Sequence, residues 1–267
     1  MLAEPGYTQF DLHFEIFGFP VRVHPWFWAM GLILGALSAE GAGEDMNIGL
    51  IVLIWMSAVF MSIVLHELGH AVLMRRAGMS PHIVLYAMGG LAVPGDSSYG
   101  SSYSSSSFGR QQGRSSKFNW EKIFISAAGP GIQLLFALAL AAIVWAAHGN
   151  LVYVRPFYVV VVDIANPYLL EMLGALMFIN TLWPLLNLLP VFPLDGGQIA
   201  REFFVGADPW NGLRNSLWLS LGVACALAIF ALTRENGMFQ MFLFASLAFN
   251  NYQMLQAVNG GGGGRPW

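Results

Sequence analysis

The chain has 267 residues, of which 56% are hydrophobic and only 10% are charged, with a formal net charge of −3 and a mean hydropathy of +0.59. Soluble domains carry about 25% charged residues, so this composition reads as an integral membrane protein, and the negative balance argues against a nucleic-acid binder. The single cysteine, Cys225, excludes an intrachain disulfide framework and a thiolate metal cage and reads as a small buried hydrophobe.

The first twenty residues hold Glu4, Asp11 and Glu15 and no basic start followed by an apolar run, unlike a signal peptide. Residues 8–24 alternate loosely around Gly18 and Pro20, which predicts a short strand pair or an interfacial segment. An apolar span over Pro25–Ser38 is short for the roughly 20 residues of a crossing and is interrupted by Gly31 and Gly35. Its Trp26-Phe27-Trp28 cluster suits a membrane interface. After the acidic loop Gly41–Met46, a second span covers Ile48–Met74 and stops at Arg75-Arg76. Residues 79–95 read as two short strands around Gly89-Gly90. The Ser/Gly/Tyr-rich stretch 96–117 cannot bury a core and is expected to be a disordered insert.

Further spans are expected at Ile123–Ala147, Tyr168–Leu189, Leu213–Leu232 and Met238–Val258, with a mixed loop over 148–166 and a flexible glycine-rich tail over 259–267. The expected fold is an all-α polytopic membrane protein. It would have about six transmembrane helices and a small membrane-associated β-hairpin or sheet, in one membrane-embedded domain over 1–258. Six spans put both termini on one side. With the N-terminus cytosolic, that side holds Arg22, Arg75, Arg76, Arg110, Arg114, Lys117, Lys122, Arg201, Arg214 and Arg265, leaving only Arg155 and Arg234 opposite. The positive-inside rule therefore favours an N-in, C-in topology.

The second span carries the chemistry. Its only ionisable residues before Arg75 belong to His66-Glu67-Leu68-Gly69-His70. On a helix His66 and His70 share a face one turn apart and can bind one Zn²⁺, with Glu67 beside them to take a proton from the attacking water. Ionisable side chains in a membrane span are costly unless they act together. The alternatives are a chance histidine pair on a core helix, and for Glu67 an ion pair with a histidine. A catalytic zinc usually takes three protein ligands and keeps one position open. Asp195 is the candidate third ligand: two prolines precede it, two glycines follow it, and it lies at a similar depth by the topology above. Asp195-Gly196-Gly197-Gln198 also fits a capping box, so an N-cap role competes. An oxyanion would need a donor besides the metal. Asn187 and Asn180, seven residues apart on the fourth span, are the candidates, and interhelical hydrogen bonding is the alternative for each. His13, His24, His82 and His148 fall in predicted loops or interfaces.

His66–His70 together with Asn187-Leu-Leu-Pro-Val-Phe-Pro-Leu-Asp195-Gly196-Gly197 resembles the paired signature of the site-2 protease family of intramembrane zinc metalloproteases. The Gly18–Pro25 segment, the Gly89-Gly90 element and Ala128-Gly129-Pro130 are also similar to that family, and the likeness runs over about residues 14–232 apart from the serine-rich insert. The resemblance implies a zinc endopeptidase with His66, His70 and Asp195 as ligands and Glu67 activating water. It implies that Asn187 positions substrate or stabilises charge. Gly89 and Gly90 would then belong to a membrane-associated hairpin that pairs with an unwound transmembrane substrate in the bilayer. At this length the chain is expected to lack the PDZ or CBS domains that many members carry. Short loops favour a prokaryotic inner (cell) membrane. Competing readings are a metal transporter or metal-binding membrane protein, and an inactive homologue acting as a scaffold.

Overall fold

The computed structural model describes residues 5–39, 46–87, 89–95, 118–147, 150–154, 158–162, 164–234 and 237–260. The stretch expected to be a disordered insert, 96–117, and the end of the glycine tail lie outside them. Two compact units are separable, one built from 5–95 and 128–186, the other from 118–127 and 187–260.

In the first unit, strands β1 (Leu12–Ile16) and β2 (Phe19–Val23) form an antiparallel hairpin. Its two-residue turn has φ of 51° at Phe17 and 73° at Gly18, the left-handed pair that a tight hairpin requires. Strands β3 (His82–Tyr86) and β4 (Gly89–Val93) form a second hairpin. β2 pairs in parallel with β3, giving one sheet in the order β1-β2-β3-β4. The expected strand pairs are thus present and join into one sheet.

Helix α1 (Pro25–Ala39) packs on α2 (Ile48–Arg76). Asn47 caps α2 by accepting from the Leu50 amide at 3.2 Å, and Arg75 and Arg76 sit at its negative C-terminal end. The Arg75 guanidinium donates to the carbonyls of Phe17 (3.2 Å) and Gly18 (2.5 Å) and lies over the Phe19 ring, so the end of α2 holds the first hairpin turn. The sequence predicts that Gly31 and Gly35 interrupt this span; instead α1 runs through both without a break. Both are buried, and a Cβ on Gly35 would come within 3.1 Å of the Val52 backbone. They form a small-residue face that lets two apolar helices approach closely where lipid supplies no hydrophobic drive.

Helix α3 (Trp120–Ala146) begins in the second unit and continues through the first. It is followed by strands β5 (Asn150–Val154) and β6 (Tyr158–Val162), paired antiparallel, and by α4 (Pro167–Asn187). The β5–β6 hairpin corrects the expectation of a mixed loop over 148–166; the runs Leu-Val-Tyr-Val and Tyr-Val-Val-Val-Val have strong strand propensity. On α4, Glu171 accepts from the Trp55 indole of α2 at 2.7 Å, which satisfies a carboxylate in an apolar helix. Val21, Val23, Phe27, Ile63, Ile83 and Ile179 join in this unit's main core.

The second unit holds the start of α3 and helices α5 (Asp195–Ala207), α6 (Gly212–Leu232) and α7 (Met238–Gly260). α6 and α7 pair extensively, with Val191, Ala224 and Ala248 in their core. Among the described residues four helices, α2, α3, α4 and α6, are long and apolar enough to cross a membrane. Of the six expected, α1 is a shorter apolar helix, and α7 is diluted by Gln240, Asn250, Asn251, Gln253, Gln256 and Asn259. Cys225, expected to be buried, is exposed on α6; in a chain whose outer face meets lipid, a small apolar residue gains nothing by pointing inward.

Gly35→Leu forces α1 away from Val52, an overpacking that costs about 1–3 kcal/mol. The purified protein in detergent is expected to unfold at lower denaturant or temperature than the wild type; an unchanged midpoint would show that the contact is not limiting.

Candidate metal centre

Helix α2 carries His66, Glu67 and His70 into the first unit's interior, and all three are buried. The Nε2 atoms of His66 and His70 lie 3.1 Å apart, with the rings tilted at 80°. His66 Nδ1 is 2.8 Å from Gln133 Oε1 of α3, and the Gln133 amide donates from Nε2 to the Ser62 carbonyl at 3.0 Å. That second bond fixes which end of the amide faces the imidazole. Gln133 must accept, so His66 Nδ1 carries the proton and Nε2 presents its lone pair. Asn180 of α4 donates to Ser62 Oγ (2.7 Å) and to its own helix at Leu176, so Asn180, Ser62, Gln133 and His66 form one buried chain.

Glycines allow this proximity. A Cβ on Gly69 would sit 2.6 Å from the Ala128 carbonyl oxygen, and one on Gly129 would collide with His70 Nε2 and stand 2.9 Å from His66 Nε2. The α3 backbone at Ala128-Gly129-Pro130 therefore lies directly against both imidazoles. On β4, a Cβ on Gly90 would press into Glu67, 2.6 Å from its Oε1. The edge strand thus runs against the candidate base with no side chain between them.

Asp195 is buried at the first position of α5. The capping-box reading is corrected: Leu194 occupies the cap position, and no side-chain cap bond closes it. Gln198 instead reaches back to the Pro193 carbonyl at 3.4 Å. Gly196 and Gly197 permit the preceding turn to fold onto the helix start, since a Cβ on either would collide with the backbone between Leu188 and Phe192. Two residues not singled out from the sequence hold that turn: Ser220 of α6 accepts from the Phe192 amide (3.1 Å), and Asn251 of α7 donates to the Phe192 carbonyl (2.6 Å). A buried serine and asparagine in apolar helices were the available signal.

One possible ligand atom from each of His66, His70 and Asp195 lies within 4.8 Å of the others, a group that could hold a metal ion. Two imidazoles bound at 2.0–2.1 Å to a tetrahedral zinc have their nitrogens about 3.3 Å apart, and the 3.1 Å between the Nε2 atoms fits. Two nitrogens and a carboxylate match the donor set of a catalytic rather than a closed structural site.

Among the other expected site residues, Asn180 is fully buried and engaged in the interhelical bond weighed for it. Asn187 ends α4 and is partly buried. Gly89, at φ 126°, begins β4 beside Trp183. His13 stacks on Tyr7, and His24 accepts from the Trp26 amide. His82 starts β3, and His148 lies outside the described residues.

Replacing Gln133 by Leu removes the acceptor on His66 Nδ1, and Zn²⁺ affinity measured by competition with a chelator should fall about 10–100-fold. Asn251→Leu frees the Phe192 carbonyl and should weaken the metal about tenfold by the same measurement. Unaltered affinity in either variant would remove that residue from the support of the centre.

The model of peptidase family M50 matches residues 54–166 and 154–229, together more than half of the chain. A protein of Synechocystis sp. named as a zinc metalloprotease is 27% identical over 198 residues, covering 70% of this chain and 42% of its own length. A zinc metalloprotease of Methanocaldococcus jannaschii is 26% identical over 190 residues, covering 70% and 43%. The chain thus spans less than half the length of these relatives. The solved site-2 protease from Methanocaldococcus jannaschii has the same fold, with a TM-score of 0.51 and 21% identity over 92% of this chain and 95% of that one. The chain is an integral membrane protein of peptidase family M50, the site-2 protease family.

Proposed function

We propose that this chain is an intramembrane zinc endopeptidase that hydrolyses a peptide bond in or near a transmembrane helix of a membrane-protein substrate. The observation that carries the reading is the buried group of His66, His70 and Asp195 with Glu67 next to the first of them on α2. Zinc fits the donor set, and the two relatives bear the name of zinc metalloproteases.

Zinc, when bound, polarises the scissile carbonyl and lowers the pKa of water to roughly 7. His66 and His70 hold their ring nitrogens toward one point, and Gln133 keeps the His66 lone pair available. Glu67 takes the proton of the attacking water and delivers it to the leaving amine. Asn187 donates to the developing oxyanion, while Asn180, buried between the helices, supports the His66 ring through Ser62 and Gln133. A helical substrate hides its amides in its own hydrogen bonds and must unwind; in lipid the freed groups need partners. Gly89 and Gly90 open the edge of β4, and a substrate strand adds there.

The excess of basic residues on one set of loops supports an N-in, C-in orientation in a prokaryotic cell membrane, with the cut near the cytosolic face, as in regulated intramembrane proteolysis. A transporter would need a relay of ligands. Among the described residues the one histidine-carboxylate cluster is this single group, which favours hydrolysis.

Glu67→Gln keeps the shape but removes the base. Cleavage of a model transmembrane substrate in proteoliposomes should drop at least about 100-fold while bound zinc stays at the wild-type level. Retained cleavage would refute Glu67 as the base. Zinc uptake into liposomes without any cleavage would favour transport, and neither activity from zinc-loaded wild type would favour a scaffold.

A further inference from the structure

We propose that an apolar cavity of about 420 Å³ between α1, α2 and α4 is a specificity subsite. It receives a bulky apolar side chain of the substrate, from the residue adjacent to the one that faces Glu67. The inference rests on the proteolytic reading above and extends it to the sequence the enzyme selects.

The pleat of β4 carries the argument. Neighbouring residues of a strand point to opposite faces, and residues paired across strands share a face. Gly90 pairs with Leu85, and Gly89 with Tyr86. Gly90's face is the one against Glu67, and Leu85 is fully buried there. Gly89 and Tyr86 point the other way, and both line the cavity. Trp183 forms its wall over Gly89, 3.4 Å from where a Cβ would stand. The far edge of β4 has no strand partner among the described residues. A strand added at that edge continues the same pleat. Its residue opposite Gly90 is delivered to Glu67, and its chain neighbour opposite Gly89 is delivered to the cavity. Because β4 has glycine at both positions, its own side chains fill neither space.

The chemistry of the walls names the occupant. Phe27, Trp55, Val59, Phe178, Ile179 and Trp183 surround the space, and no charged side chain lines it. Its volume falls in the range of small-ligand pockets, ample for leucine, phenylalanine or tryptophan. A lysine or aspartate placed there would lose its hydration with no partner in return. The preferred substrate is therefore a transmembrane segment with a large apolar residue beside the one at the catalytic glutamate.

The test uses the 267-residue chain in proteoliposomes with model transmembrane substrates that differ at single positions around the mapped cut, carrying Ala, Leu, Phe, Trp or Lys. At one position Leu or Phe should exceed Ala in kcat/KM by about tenfold or more, with Lys below Ala. Ile179→Trp fills the cavity and should bring the Leu-to-Ala ratio toward one; Trp183→Ala enlarges it and should move the optimum toward Trp. Bound zinc at the wild-type level certifies each variant, and either one alone decides the matter. A flat wild-type profile, or ratios unmoved in a certified variant, overturns the subsite and assigns the cavity to lipid chains, while leaving proteolysis intact. Zinc-loaded wild type that cuts none of the substrates overturns the proteolytic reading and this inference with it.

Discussion

The first unit depends on the backbone of α3 lying against two imidazoles of α2. That approach brings the Gln133 amide to His66 inside an apolar helix, and burying an imidazole without a polar partner is costly. The approach is possible because Gly69 and Gly129 have no Cβ to keep the helices apart. Once they are in contact, Gln133, one turn beyond Gly129, reaches His66 Nδ1 and the Ser62 carbonyl together. Close packing and the polar chain are therefore one feature. Without the glycines Gln133 does not reach, and without Gln133 the His66 ring has no fixed donor side.

The carboxylate that completes the group is prepared by different means. Asp195 starts a helix, where the amide dipoles favour its negative charge. Its position is set by a turn that folds back on that helix over Gly196 and Gly197. Turns at membrane depth are tolerated only if their backbone groups find partners within the protein. Ser220 takes the Phe192 amide and Asn251 serves its carbonyl, so this peptide needs no water. The amides that make α7 less apolar than its neighbours include one that supports the turn.

Much of the site was legible because membrane burial makes polar residues conspicuous. His66, Glu67 and His70 stood out in a span with no other ionisable group, and Asp195 stood out between prolines and glycines. The same logic applied to Gln133, Ser220 and Asn251, which are polar in apolar spans, but an amide or hydroxyl costs less than a charge and attracts less notice. Glycines were harder to read. Gly31 and Gly35 look like breaks when propensity alone is considered, and only the partner backbone at Val52 reveals a packing face. The capping reading of Asp195 failed because local spacing cannot say whether a residue stands one position before a helix or at its start. The β5–β6 hairpin was missed for want of alternation: a run of valines has strand propensity but no period that separates it from an apolar loop or a short helix.

The four strands of the first unit's sheet do not all serve the same end. Three of its four strands serve cohesion: β1 and β2 are tied to the end of α2 through Arg75, and β3 is buried between β2 and β4. β4 differs in sequence as well as position, opening with two glycines where the others carry bulky residues. Glycine weakens a strand, so a merely structural edge would gain from larger side chains at 89 and 90. At Gly90 such a side chain would occupy the space of Glu67, and at Gly89 it would crowd Trp183. The weakening is local to the stretch beside the candidate base, and under the proposed strand addition that is where an incoming extended chain would need an open edge and room on both faces.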